Sequence, residues 1–221
     1  MVASASSIVR VLIEATPKRA FASALDWPGW SRSGRDEASA LAALDAYTAR
    51  YRPVAQAARV RFPPHPSFEV VERLPGNGST DFGVPDAVAT VEREAPTVAE
   101  AKRLAALVEG AWAVLDAIAA IAPPTLRKGP RGGGRDRDEV FQHVLSPESA
   151  SYARAIGLRL AEPSVGDRAA IEASRTTIAE AIRAGGRKDA PEHRWPIRYA
   201  ARRIAWHVLD HAWEIEDKAD G

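Results

Sequence analysis

The 221-residue chain contains no cysteine. That removes disulfides, thiolate metal ligands and a cysteine nucleophile together, so any bound metal has to be held by histidine and carboxylate. Lysine is scarce, with five residues (Lys18, Lys102, Lys128, Lys188 and Lys218) against 25 arginines, an imbalance that with the heavy use of alanine reads as GC-rich coding. Neither charge sign is in excess. Thirty basic and 29 acidic residues leave a net charge of +1, which argues against the basic footprint of a dedicated nucleic-acid binder. The longest apolar stretch, Ala111 to Ala122, is interrupted by Asp116 and falls short of the roughly 20 residues that a bilayer requires, so no membrane span is expected. The opening MVASASSIVRVLIEA lacks a basic segment ahead of a long apolar core, which makes a cytoplasmic location the expectation. P-loop, GxGxxG and GxSxG patterns are also missing, leaving no support for nucleotide hydrolysis, dinucleotide binding or a serine hydrolase.

What is present is an ordinary globular composition, 46% apolar and 27% charged, too apolar for wholesale disorder. The length admits one large domain or two small ones. The pattern changes character near residue 95, which divides the chain into an expected α+β lobe over 1–95 and an all-α four-helix bundle over 96–221. In the first part, IVRVLIEA (8–15) is β-branched and apolar, Thr16-Pro17-Lys18 supplies a turn, and residues 19–25 alternate well enough to complete a hairpin. The loop DWPGWSRSG leads to Asp36 and Glu37 at the start of a helix whose apolar positions are Ala40, Leu44, Tyr47 and Tyr51, with Pro53 just past its end. Residues 68–74 read as a further strand.

Four helical patterns follow. Thr97 and Glu100 form a capping box ahead of an apolar face of Leu104, Leu107, Val108, Ala111, Leu115 and Ile118, and Pro123-Pro124 ends it. After the basic, glycine-rich stretch 127–138 comes a second helix over about 138–156, bent at Pro147. A third covers about 167–184 and a fourth runs from Pro196 to about Asp217. Helices joined by modest loops predict the four-helix bundle.

Three of the five histidines stand out. His207 and His211 are four apart on the last helix and project from one face, within the apolar stripe that includes Ala200, Ile204 and Ile215. His143 lies on the second helix beside Val140 and Val144. Buried imidazoles need partners; a shared cation satisfies such a set at once, and hydrogen bonds to neighbours would also do so. Three neutral imidazoles leave coordination positions open, which suits Zn²⁺, Ni²⁺ or Fe²⁺. Asp210 and Glu214 flank the pair and could orient an imidazole. Glu148, five residues beyond His143 on its helix, is a candidate general base. Lys128, Arg131, Arg135 and Arg137 offer basic groups for an anionic substrate or cofactor, with Arg131 and Arg135 the candidate cofactor-binding residues. Trp206, Leu209 and Trp213 fall opposite the histidine stripe, so the last helix should be covered twice, the second time by Phe21, Trp27 and Trp30 of the first lobe or by a second subunit.

The segments FQHVLSPESASYARAIG and RWPIRYAARRIAWHVLDHAWEIEDK resemble the second and fourth helices of the DinB-like superfamily. The resemblance covers about residues 97–218. It implies a four-helix bundle with a divalent metal, Zn²⁺ or Ni²⁺ foremost, held by His143, His207 and His211. Family members of known activity are commonly metal-dependent thiol S-transferases or isomerases that use a low-molecular-weight thiol such as mycothiol or bacillithiol. Without cysteine, this chain would take such a thiol from a cofactor.

A second resemblance lies in AFASALDWPGWSRSGRDEASALAALDAYTARY, which is similar to the HicB-like antitoxin fold over about residues 8–51 through Phe21, Ser23, Trp27-Pro28-Gly29 and the run Glu37 to Leu44. It implies a protein-partner module, so the alternative to a metal enzyme acting on a small molecule is a non-catalytic binding or regulatory protein. A protein partner or a homodimer is compatible with either; nucleic acid and membrane are not expected partners.

Overall fold

The computed structural model describes residues 7–129 and 133–219. Strand β1 (Ile8–Ala15) pairs antiparallel with β2 (Ala20–Ala24) through the expected turn, which the Thr16 N–H closes onto the Arg19 carbonyl at 2.8 Å. A strand that the sequence pattern did not reveal, β3 (Ser31–Gly34), extends the hairpin on the far side of β2. Its SRSG composition carries no hydrophobic alternation, and pairing with β2 alone defines it. The chain then crosses over through α1 (Glu37–Ala46) and α2 (Thr48–Ala57) to β4 (Ser67–Pro75), which lies parallel to β1. The sheet order is β3-β2-β1-β4. Central β1 is buried from Val11 to Glu14 rather than alternating, as a strand covered on both faces should be.

The expected single helix after Asp36 is two helices, broken at Tyr47, and the second runs through Pro53 instead of stopping before it. Packing overrides the proline: Tyr51, Val54 and Ala55 are fully buried, and α2 lies against α4 (Val98–Ile121). Trp30 stacks on Tyr51 at 5.3 Å and donates from Nε1 to the Leu44 carbonyl, while the Tyr51 hydroxyl donates to the Pro28 carbonyl. A short helix α3 (Gly78–Phe82) is capped by Asn77.

The expectation of a four-helix bundle is not met. Beyond β4 and α3 the chain forms α4, α5 (Arg137–Pro147), a π-helical turn (Glu148–Tyr152), α6 (Ala153–Ala155), α7 (Arg168–Ala184) and α8 (Ile197–Ala219). The bundle's second helix is thus interrupted in its middle, just after Pro147. The close pairs are α7 with α4, α4 with α8 and α8 with α5, while α2 also packs on α4. The reason lies in α4 and α8, each of which is apolar around more of its circumference than a bundle helix needs. Ala105, Val108 and Ala111 are as buried as Leu104 and Leu115, and Gly110 brings the Val54 carbonyl within 2.5 Å of where a Cβ would stand. One hydrophobic cluster therefore runs without interruption from Val9 and Val11 in the sheet to Ile215 in α8. The architecture is a mixed four-stranded sheet with helices packed around a shared core.

By length and apolarity α4 is the one described helix that could cross a bilayer, although the sequence reading found no such span. Half of its most apolar window is buried inside the fold, between α2, α7 and α8.

The loop before β3 is the point where sheet and helices meet. Gly29 adopts φ +91°, and an added Cβ would lie 2.7 Å from Leu209 Cδ1 and 2.9 Å from the Ala205 backbone. Gly29→Ala should therefore destabilise the protein by more than about 1 kcal/mol in urea unfolding, through left-handed strain and collision with α8. Gly78→Ala, where a Cβ meets nothing within 4 Å, serves as the control and should leave the midpoint nearly unchanged.

Candidate metal centre

Helix α8 is buried without a break from Tyr199 to Leu209. One side carries Trp206 against Phe21 of β2 (6.2 Å, edge-on) and Trp213 against Tyr47 at the end of α1 (4.9 Å). The expected second covering of α8 is thus supplied within the chain. Trp27 and Trp30 instead join Tyr51 and Phe62 in an aromatic cluster of the first lobe. The other side of α8 carries His207, which is 7% exposed, and His211 one turn on.

Helix α5 brings the third histidine. The Asp136 N–H donates to Glu139 Oε2 at 2.7 Å at the start of the helix, and Val140, Phe141, Val144 and Leu145 bury its inner face. His143 projects beside that face. Its ring centre lies 5.4 Å from that of His207 and 4.8 Å from that of His211, and the two α8 rings are 4.7 Å apart. One nitrogen from each ring falls within 4.8 Å of the others, so the three could hold a metal ion. A tetrahedral set with bonds of 2.0–2.1 Å needs roughly 3.4 Å between nitrogens, so the imidazoles would have to draw closer to hold one ion.

The electrostatics favour the neutral form of His143 and His207. Burial pushes the His207 pKa well below the ordinary imidazole value, with the charges of His211, Arg203, His143 and Arg135 acting in the same direction. Burial likewise lowers His143, aided by Arg135 and His211. His207 Nδ1 is buried and has no hydrogen-bond partner, which a merely structural histidine in a core would normally avoid. His211 Nδ1 is held by Glu214 Oε2 at 2.7 Å, leaving Nε2 to face the site. That is the carboxylate–histidine arrangement that fixes tautomer and ring orientation in metal centres. The hydrogen bond to His211 is the main reason the Glu214 pKa falls to about 2, with Lys218 helping against partial burial.

The remaining candidates divide. Arg135 Nη2 reaches Glu214 Oε2 at 3.3 Å, which places this guanidinium at the rim of the histidine cluster. Arg131 lies outside the described residues. Lys128 is committed to Asp136 at 2.6 Å, Arg137 to Asp138 and the Ala122 carbonyl, and Asp210 to Arg32. Glu148 is not drawn to the histidines. Its carboxylate accepts from Trp112 Nε1 of α4 at 2.6 Å and is influenced by Arg175. Two residues that sequence reasoning missed border the site: Tyr152 meets the His207 ring edge-on at 5.6 Å, and Arg203 lies over Tyr152 at 5.2 Å. Arg203 was open to discovery, because it precedes His207 by four residues on the same helix. Tyr152 was not, since its direction depends on the π-turn.

No protein-family profile, curated protein or solved structure matches this chain.

Burial raises the Glu148 pKa to about 7 against the opposing pull of Arg175 and the Trp112 hydrogen bond. The folded state thus holds this proton more tightly than the unfolded chain. The resulting stabilisation is complete below the ordinary value of 4.5 and is lost as pH rises through about 7. Glu148→Gln keeps an acceptor for Trp112 and removes the titration. Urea midpoints measured between pH 5 and pH 8 should fall less steeply with pH in this variant than in the wild type.

Proposed function

We propose that this chain is a divalent-metal protein that uses His143, His207 and His211 as ligands and performs metal-dependent chemistry on a small molecule, of the thiol S-transfer or isomerisation class. The observation that carries the reading is the convergence of three imidazoles from two helices, with a buried His207 nitrogen unpartnered and Glu214 orienting His211. Three protein nitrogens leave at least one coordination position for a ligand, the arrangement that distinguishes catalytic from structural zinc sites. When bound, the cation supplies Lewis-acid chemistry: it stabilises a thiolate at neutral pH and polarises an electrophile beside it.

The chain's own residues supply the rest of the site. Glu214 holds His211 in one tautomer and orientation. Arg135, at the rim, offers a cation for an acidic group of a thiol cofactor. Tyr152 and the buried side of α5 close off water behind His207. Resemblance of the two histidine-bearing segments to DinB-like proteins supports the thiol class, and the donor set favours Zn²⁺ or Ni²⁺.

Elemental analysis of untagged protein purified without chelators should find about one equivalent of Zn or Ni. A metal-free preparation whose melting temperature ignores EDTA and added Zn²⁺ or Ni²⁺ would leave the alternative, a non-catalytic binding or regulatory protein. His207→Ala should lose the metal. It should also lose the metal-dependent stabilisation, which for the wild type reaches about 2.7 kcal/mol at metal concentrations 100-fold above Kd. Glu214→Gln should retain the fold but bind metal roughly 10–100-fold more weakly by competition titration, because the carboxylate support of His211 is removed along with the ion pairs to Arg135 and Lys218.

A further inference from the structure

Three arginines are buried in the fold: Arg175, Arg202 and Arg203. Arg175 is paired with Asp116 at 2.9 Å, and Arg202 with Glu92 at 2.6 Å and with the Ala87 carbonyl. Arg203 is 8% exposed and has no carboxylate partner among the described residues. A buried cation without a counter-charge is expensive, since desolvation is not offset by an ion pair.

Its surroundings are aromatic and donating. The guanidinium lies 5.2 Å from the Tyr152 ring centre and 4.6 Å from that of Trp206, between the two. Arg203 Nη1 is buried with no hydrogen-bond partner, and so is the indole Nε1 of Trp206. Both are N–H donors that can be satisfied only by an acceptor. Tyr152 meets the ring of His207, and the Arg203 charge is felt at His207. Arg203 and His207 are also one helical turn apart, on the same face of α8. The one carboxylate bonded to the histidine cluster, Glu214, is already engaged by His211, Arg135 and Lys218. Among the described residues, Arg203 and the Trp206 indole, whose ring centre lies 6.3 Å from that of His207, thus present buried donors with no carboxylate to match them.

We infer that Arg203, with the Trp206 indole N–H, is the receptor for a carboxylate of the small molecule handled at the three-histidine site. The ligand class is a small organic acid whose carboxylate lies a few bonds from its metal-seeking atom. This inference rests on the metal reading above and adds to it the chemical class of the ligand. A planar guanidinium held between two rings is pre-organised for a carboxylate, and the dry setting strengthens the charge-assisted bonds.

The test uses the Co²⁺-loaded full chain and two probes that share a thiol, mercaptoacetate with a carboxylate and 2-mercaptoethanol with a hydroxyl in its place. Affinities are read from the visible cobalt spectrum and by calorimetry. In the wild type, mercaptoacetate should bind at least 10-fold more tightly than 2-mercaptoethanol. Arg203→Met, which keeps an unbranched side chain between the rings, should abolish that preference while retaining the cobalt affinity and the weaker 2-mercaptoethanol binding. Arg203→Lys should restore part of the preference. Equal affinities of the wild type for the two probes would overturn the inference even if Arg203→Met proved unable to fold. A preference that survives Arg203→Met but vanishes in Arg135→Met would overturn it by assigning the carboxylate to the rim. A wild type that takes up no Co²⁺ would overturn the metal reading, and the ligand assignment with it.

Discussion

The burial of α8 on more than one side is the constraint on which the rest of the molecule depends. A helix that is buried continuously from Tyr199 to Leu209 must present complementary surface in every direction. Ala205 and Leu209 meet the loop at Gly29, Trp206 meets Phe21, and α4 and α5 take the remaining faces. This demand removes the independence that a four-helix bundle would have had. It also explains how two histidines and two arginines come to sit where polar groups are costly. Each needs a solution, and the solutions differ. Arg202 finds Glu92, His211 finds Glu214, and His207 Nδ1 and Arg203 Nη1 are left buried without a hydrogen-bond partner.

The electrostatics around His207 follow from the same packing. Burial lowers the His143 and His207 pKa values, and the neighbouring guanidiniums reinforce the effect instead of competing with it. Three imidazole ligands would bring no negative charge to a divalent cation, so a bound metal with Arg135 and Arg203 would leave a local excess of positive charge around one carboxylate, Glu214. A site of that kind would select against cationic and neutral ligands by the cost of leaving its donors unmatched.

Much of this was legible in the residues. The β1–β2 hairpin, the strand near 68–74, the capping box at Thr97, the bend at Pro147 and the limits of α7 and α8 all follow from local signals, because each is governed by contacts within a few residues. The convergence of His143 with His207 and His211 was equally accessible, since helical spacing fixes which face each one occupies. What escaped depends on distant partners. β3 has no pattern of its own and exists through β2. Pro53 is carried inside α2 because α4 covers Val54 and Ala55. Glu148 looks near His143 in sequence, yet the turn after Pro147 directs it to Trp112 of α4. The four-helix bundle is not what forms, because a stripe count on α4 records its strongest apolar face and misses the small residues Ala105 and Gly110 that admit neighbours on the others.

The order of elements along the chain has a consequence for how the molecule is made. Part of the surface that α8 covers belongs to residues between Phe21 and Arg50: the Phe21 ring, the Gly29 loop, Arg32 with Asp210, Tyr47 with Trp213 and Arg50 with Glu216. That part leaves the ribosome some 150 residues before α8. Parallel pairing of β1 with β4 likewise waits for the whole crossover. The nascent chain therefore travels through most of its synthesis with an aromatic face open to other chains. Helix α8 acts as the closing piece of the fold, and a truncation that removes it would release an aggregation-prone protein.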